Sequence, residues 1–133
     1  MWWVDGSYGV HWYSKGHTGA MTSMGKGTIL NMSRKHKLNV ACSTESELVS
    51  IADVLGVMMW YKYFMEVQGY TIDNNILYQD NTSPILLTKN GRIPAGKASC
   101  HIHNRFVLIM DKIQKGDIAV EHREPRRRGL TTT

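Results

Sequence analysis

Apolar residues recur at Leu48, Ile51, Ala52 and Leu55 with i, i+3, i+4, i+7 spacing, and Met59 and Tyr63 continue the stripe in steps of four. The spacing predicts a helix over 44–68, with Thr44 placed to cap it and Gly69 to end it. Gly56 weakens its middle by roughly 1 kcal/mol against alanine and is expected to let another backbone come close. A second helical period through Phe106, Ile109, Met110 and Ile113 predicts an amphipathic helix over 98–115, stopped by Gly116.

Strand signals lie around these helices. Trp2, Val4 and Tyr8 favour a strand within 1–10, which Asp5 interrupts. Residues 11–19 are polar and turn-rich. Segments 20–24 and 28–32 read as two short strands joined in a hairpin at Gly25-Lys26-Gly27. Residues 33–37 read as basic and exposed, and 38–42 lead into the first helix. The apolar segment 75–79 reads as a buried strand ending at Asp80-Asn81. A short helix is expected over 82–88, with Pro84 in its first turn. A Gly/Pro loop over 90–97 and a last strand over 118–121 complete the order. Strand, strand, strand, helix, strand, helices, strand predicts an α/β fold, a mixed sheet covered by helices. Trp2, Trp3 and Trp60 are expected in the core. No internal repeat is visible, and 126–133 is low in complexity and expected to be unfolded.

With 133 residues the chain has room for one domain, and 42% apolar residues allow a real core. The net charge of +5 suits an acidic partner, although charge alone speaks of solubility and non-specific binding. The excess sits mostly in 34–37 and 123–128. Cys42 and Cys100 are far apart, without CxxC spacing, and read as reduced thiols of an intracellular protein. No signal-peptide pattern opens the chain. No apolar run is expected to approach the roughly 18 residues that span a membrane, so no membrane partner is expected.

The candidate chemistry is acidic. Asp5 falls in a strand predicted to be central, Asp80 at the C-terminal end of another, and Glu47 near the start of the main helix. Glu47 shares a helix face with Ile51, Val54 and Met58. Ligands in open α/β sheets collect near strand C-termini. Three carboxylates meeting there would raise one another's pKa unless a cation neutralised them. Such oxygen-rich sites suit Mg²⁺ or Mn²⁺. Two such ions about 4 Å apart activate a water and stabilise a leaving oxygen in phosphodiester cleavage. Each residue also has a plainer reading. Glu47 stands three residues after Thr44, as in a capping box. Asp80-Asn81 fits a helix N-cap and turn, and Asp5-Gly6 fits a turn.

Several stretches carry a resemblance. They are Val4-Asp5-Gly6-Ser7-Tyr8; Ser-Lys-Gly-His-Thr-Gly-Ala over 14–20; Met-Ser-Arg-Lys-His-Lys over 32–37; Ser-Thr-Glu-Ser-Glu-Leu-Val over 43–49; Leu-Tyr-Gln-Asp-Asn over 77–81; and His-Ile-His-Asn-Arg-Phe over 101–106. In this order and at these distances the chain resembles the ribonuclease H domain that ends the polyprotein of copia-type LTR retrotransposons. The likeness covers about 1–122.

The resemblance implies a ribonuclease H-like fold, a five-stranded mixed sheet flanked by helices with its first three strands antiparallel. It implies a hydrolase that cuts the RNA strand of an RNA–DNA hybrid, leaving a 3′-hydroxyl and a 5′-phosphate. Its cofactor would be Mg²⁺ or Mn²⁺, as two ions. The family's catalytic, metal-holding acids fall on Asp5, on Glu47 and not Glu45, and on Asp80. Its partners would be the hybrid and the reverse transcriptase domain of the same polyprotein, in a cytoplasmic retroelement particle. The position of the family's fourth carboxylate holds His103, a poorer partner for Mg²⁺. Asp111 lies two turns further along. Cys100, His101 and His103 do not share one helix face, which argues against zinc.

The first strand is expected to be clipped, and a family-like C-terminal helix is expected to be missing, with 123–133 a basic disordered tail. By residue type, Arg34, Lys35 and Lys37 are candidates for phosphate contacts or for a solvated basic turn, and Asn81 and Ser83 for 2′-hydroxyls. A catalytically weak relic that only binds nucleic acid is the alternative reading. An integrase-type nuclease fits less well, because Lys115 stands where that family needs an acid, with Asp117 in a Gly-Asp turn.

Overall fold

A computed structural model describes residues 1–7, 9, 15–37, 43–82, 85 and 100–123, with backbone alone at 100–102. The elements are β1 (Trp2–Ser7), β2 (His17–Ser23), β3 (Thr28–Lys35), α1 (Ser43–Val67), β4 (Ile76–Gln79), α2 (Cys100–Gln114) and β5 (Ala119–His122). They build a five-stranded sheet in the order β3-β2-β1-β4-β5. Neighbours among β1, β2 and β3 are antiparallel, whereas β4 runs parallel to both β1 and β5.

Side-chain alternation along the strands decides which face carries the core. Trp2 and Val4 of β1, Thr18, Ala20 and Thr22 of β2, and Leu77 and Gln79 of β4 are buried on one face. Against it lies α1, whose Leu48, Ile51, Val54, Leu55 and Met58 are buried, and α2 adds Phe106 and Ile109 to the same cluster. Arg105 ties the two helices through Asp53 at 2.8 Å. Both helices end where a glycine takes the left-handed backbone, Gly69 at φ 90° and Gly116 at φ 75°. In each, paired bonds close the last turn: Gly69 N to Glu66 O with Tyr70 N to Met65 O, and Gly116 N to Ile113 O with Asp117 N to Lys112 O.

Several expectations are corrected. β2 and β3 are longer than predicted, because the ladder runs on through His17↔Lys35, Thr18↔Arg34 and Gly19↔Ser33. His36 lies in the basic run yet is 1% exposed. The stripe on α1 leaves the core after Met59: Trp60 and Tyr63 are exposed, and Trp60 stacks on Phe64 at 5.3 Å instead of entering the core. Among the described residues nothing from outside the helix would lie within 4 Å of a Cβ on Gly56, so none of them brings a second backbone close there. Over 25 residues α1 is long and apolar enough to pass for a membrane span by length and composition, contrary to expectation. Its first half is apolar because it is buried on the sheet. Arg123, assigned to the tail, bonds its backbone N–H to Gln79 O at 3.0 Å and lays its guanidinium over Tyr78. Of the helix expected over 82–88, Thr82 and Ile85 are helical; the rest, with the 38–42 and 90–97 segments and the tail from 124, lies outside the described residues.

Candidate metal centre

The register of two strands brings the aspartates together. Val4↔Gln79 is the last pair between β1 and β4, so Asp5 stands beside Asp80, the first residue past the end of β4. Both are exposed at the C-terminal end of the parallel pair. Glu47 comes from the other side. It sits early in α1, is 5% exposed, and reaches the strand ends beside Gly6. Gly6 follows Val4 on the face that α1 covers. A Cβ there would collide with Ser50 Oγ and stand 3.1 Å from both Glu47 Oε2 and Ser46 O. The absence of a side chain at Gly6 thus makes the slot that Glu47 occupies.

Ligand oxygens of Asp5, Glu47 and Asp80 all lie within 4.8 Å of one another. The capping-box reading of Glu47 gives way to these tertiary contacts. Its Oε2 accepts a hydrogen bond from the Gly6 backbone N–H at 3.2 Å and another from Gln79 Nε2. Thr44 lies inside the helix rather than at its cap. Burial pushes the Glu47 carboxyl up to about 7; the Gln79 and Gly6 hydrogen bonds oppose the shift, and the charges of Asp5 and Asp80 reinforce it. Burial also raises the Asp5 carboxyl, with Asp80 adding to the effect and Gly6 opposing it. Three crowded carboxylates, one of them buried, form an oxygen-only donor set. That chemistry fits a hard divalent cation such as Mg²⁺ or Mn²⁺.

A buried polar row supports the Glu47 turn. Ser46 Oγ donates to Ser7 O at 3.0 Å and Ser50 Oγ to Ser46 O at 2.8 Å. Thr18 Oγ1 donates to Ser50 Oγ at 3.1 Å, and His36 Nε2 lies 2.7 Å from Thr18 Oγ1 and 3.2 Å from Ser50 Oγ. These contacts fasten α1 to β1 and β2 directly behind the site. Sequence reasoning missed Ser46, Ser50, Thr18, His36 and Gln79. The only available signal was that Ser46 and Ser50 are spaced i, i+4 beside Glu47.

Other predicted residues stand apart. His103 is exposed on α2 and does not join the carboxylate cluster. Arg34 and Lys35 are exposed on β3, an edge strand, and Lys37 is exposed just beyond it. Asn81 is half-buried next to Asp80. Ser83 lies outside the described residues, as do Cys42 and the side chains of Cys100 and His101. A cavity of about 410 Å³ lies away from the carboxylates, at the opposite ends of β4 and β5, lined by Asp73, Asn75, Ile113 and Ile118 among others.

No protein-family model matches the chain, and no curated protein matches it in sequence. Solved structures do match. One is LC11-RNase H1, isolated from compost by a metagenomic approach: TM-score 0.64 and 11% identity, over 92% of this chain and 82% of that one. Another is LC11-RNase H1 in complex with an RNA/DNA hybrid: TM-score 0.65 and 11% identity, over 96% of this chain and 87% of that one.

Proposed function

We propose that this chain, which has the ribonuclease H fold, is a metal-dependent endonuclease that cleaves the RNA strand of RNA–DNA hybrids. We place it in the polyprotein of a copia-type retroelement, beside that polyprotein's reverse transcriptase and within a cytoplasmic particle. The observation that carries the activity is the meeting of Asp5, Glu47 and Asp80 within 4.8 Å at the strand ends. The RNA/DNA hybrid bound by a protein of the same fold supports the substrate class.

Asp5, Glu47 and Asp80 would hold Mg²⁺ or Mn²⁺, with two ions in the full site. When bound, such ions supply an activated water and a counter-charge for the leaving oxygen. The chain's own part is orientation. Glu47 is set by Gly6 and Gln79, and Asp5 and Asp80 are set side by side by strand register. Arg34, Lys35 and Lys37 would take phosphates of the hybrid, and Asn81 and Ser83 the 2′-hydroxyls that distinguish RNA from DNA.

The test is cleavage of a labelled RNA–DNA hybrid in Mg²⁺, Mn²⁺ and chelator. Metal-dependent cutting of the RNA strand is expected. One observation favours a second reading, a weak or inactive relic that only binds nucleic acid: His103, which by the resemblance takes the position of the family's fourth carboxylate, stands apart from the cluster. A folded chain that holds hybrid equally well in chelator and cuts it in neither metal would establish that reading instead.

A further inference from the structure

Gln79 closes β4 immediately before Asp80 and is 1% exposed. Its side chain points to the α1 side, where Nε2 donates to Glu47 Oε2. Among the described residues its own Oε1 is buried without a hydrogen-bond partner. An unpaired buried carbonyl is unfavourable, and an apolar side chain of the same volume would fill the space without it. The amide therefore contributes something other than packing. What it adds is a donor aimed at a carboxylate, and a carboxylate can only accept.

An ionised carboxyl oxygen offers about two lone-pair sites. At Glu47 Oε2 the Gly6 N–H takes one, at 3.2 Å, and the Gln79 amide takes the other. Oε2 is thus occupied by the protein, and Oε1 is the oxygen left for an ion.

We propose that Gln79 is a positioning residue that holds Glu47 as a one-oxygen metal ligand. The inference rests on reading Asp5, Glu47 and Asp80 as the metal ligands. Gln79 ends the strand that carries Asp80, so one strand end supplies a ligand and also orients another from the facing helix. Groups that orient a ligand by hydrogen bonding typically carry about 10–100-fold in metal affinity.

The test is Mn²⁺ binding, followed by electron paramagnetic resonance of the free ion, in wild type and Gln79→Met, with hybrid cleavage measured beside it. Methionine keeps the volume and removes the donor. The expected result is a Mn²⁺ Kd raised about 10–100-fold, with the same rise in the Mn²⁺ needed for half-maximal cleavage. The rate at saturating Mn²⁺ should stay within about threefold of wild type. A mere packing role would leave both the melting temperature and the Mn²⁺ Kd near wild type, because methionine fills the same space, and that result overturns the proposal. Wild type that binds no Mn²⁺ overturns it too. Wild type that binds Mn²⁺ without cutting refutes the nuclease and leaves Gln79 judged by the binding data. If Gln79→Met does not fold, Gln79→Asn, which withdraws the amide by one methylene, must raise the Kd in the same way.

Discussion

Glu47 on α1 and Gly6 on β1 are joined by a hydrogen bond from the Gly6 N–H to Glu47 Oε2, at 3.2 Å, made through the space a side chain on Gly6 would fill. The relationship couples the close packing of helix on strand to the placement of a ligand. Gly6→Ala should push the first turns of α1 outward. The expected outcome is a loss of about 1–3 kcal/mol in urea unfolding, typical of an overfilled core. Weaker metal-induced stabilisation in thermal melts should accompany it.

The raised Glu47 carboxyl makes stability depend on pH and metal. The folded protein holds the Glu47 proton to about pH 7, against 4.5 for the free side chain. Folding is therefore helped at low pH, and that help is lost as pH rises through the interval between the two values. Asp5 shifts in the same direction. In chelator, wild type should lose about 2 kcal/mol relative to Glu47→Gln between pH 5 and pH 8. Saturating Mg²⁺ should abolish the difference. Paired urea titrations of the two proteins at both pH values check this, and a flat difference in chelator would refute it.

Asp80→Asn should separate activity from stability. Cleavage is expected to fall by at least about 100-fold, since residues that only support a metal ligand already carry about 10–100-fold. In chelator the same variant should melt at or above the wild-type temperature, because a charge that opposes ionisation of Asp5 and Glu47 is gone. Differential scanning calorimetry beside the cleavage assay reads both effects.

His36 is the residue whose stability role departs furthest from its surroundings. Its ring is buried and lies 2.7 Å from Thr18 Oγ1 and 3.2 Å from Ser50 Oγ. His36→Ala would leave a cavity and take a partner from two buried hydroxyls. A loss of about 2–4 kcal/mol is expected in urea unfolding. The neighbouring Lys35→Ala and Lys37→Ala should stay within about 0.5 kcal/mol of wild type.

Substituting serine for Arg34, Lys35 and Lys37 together tests the basic edge. If these residues meet phosphates, hybrid affinity should fall and the slope of log affinity against log salt should flatten by about one for each contact removed. Fluorescence anisotropy at several salt concentrations, with metal chelated, measures it. An unchanged slope would leave the three as solvated charges at the end of the β3 edge.

Local pattern carried much of this protein. Periodicity located both long helices, and Gly69 and Gly116 ended them because glycine enters the left-handed turn without penalty. Apolar runs located all five strands. The pattern failed where a neighbour supplies the energy. His17–Gly19 and Ser33–Lys35 are poor strand sequences held by each other's ladder bonds. Likewise the apolar period on α1 does not reveal where the covering sheet stops, so it carries Tyr63 toward a core that does not reach it, and Trp60, expected in the core as a large apolar residue, lies beyond it too.

For the site, residue type and period, which are local properties, set which acids were available, with Asp80 and Glu47 near element ends and Asp5 within a strand. Local chemistry favoured a capping box for Glu47. Contacts across the fold choose between the readings. The β1–β4 register sets Asp5 beside Asp80, and the bare Cα of Gly6 opens the slot through which Glu47 joins them. Gln79 and His36 entered only there, since the partners that give them a purpose are more than ten residues away along the chain. Pairing across such separations depends on how strands and helices stack, which no short window of sequence encodes.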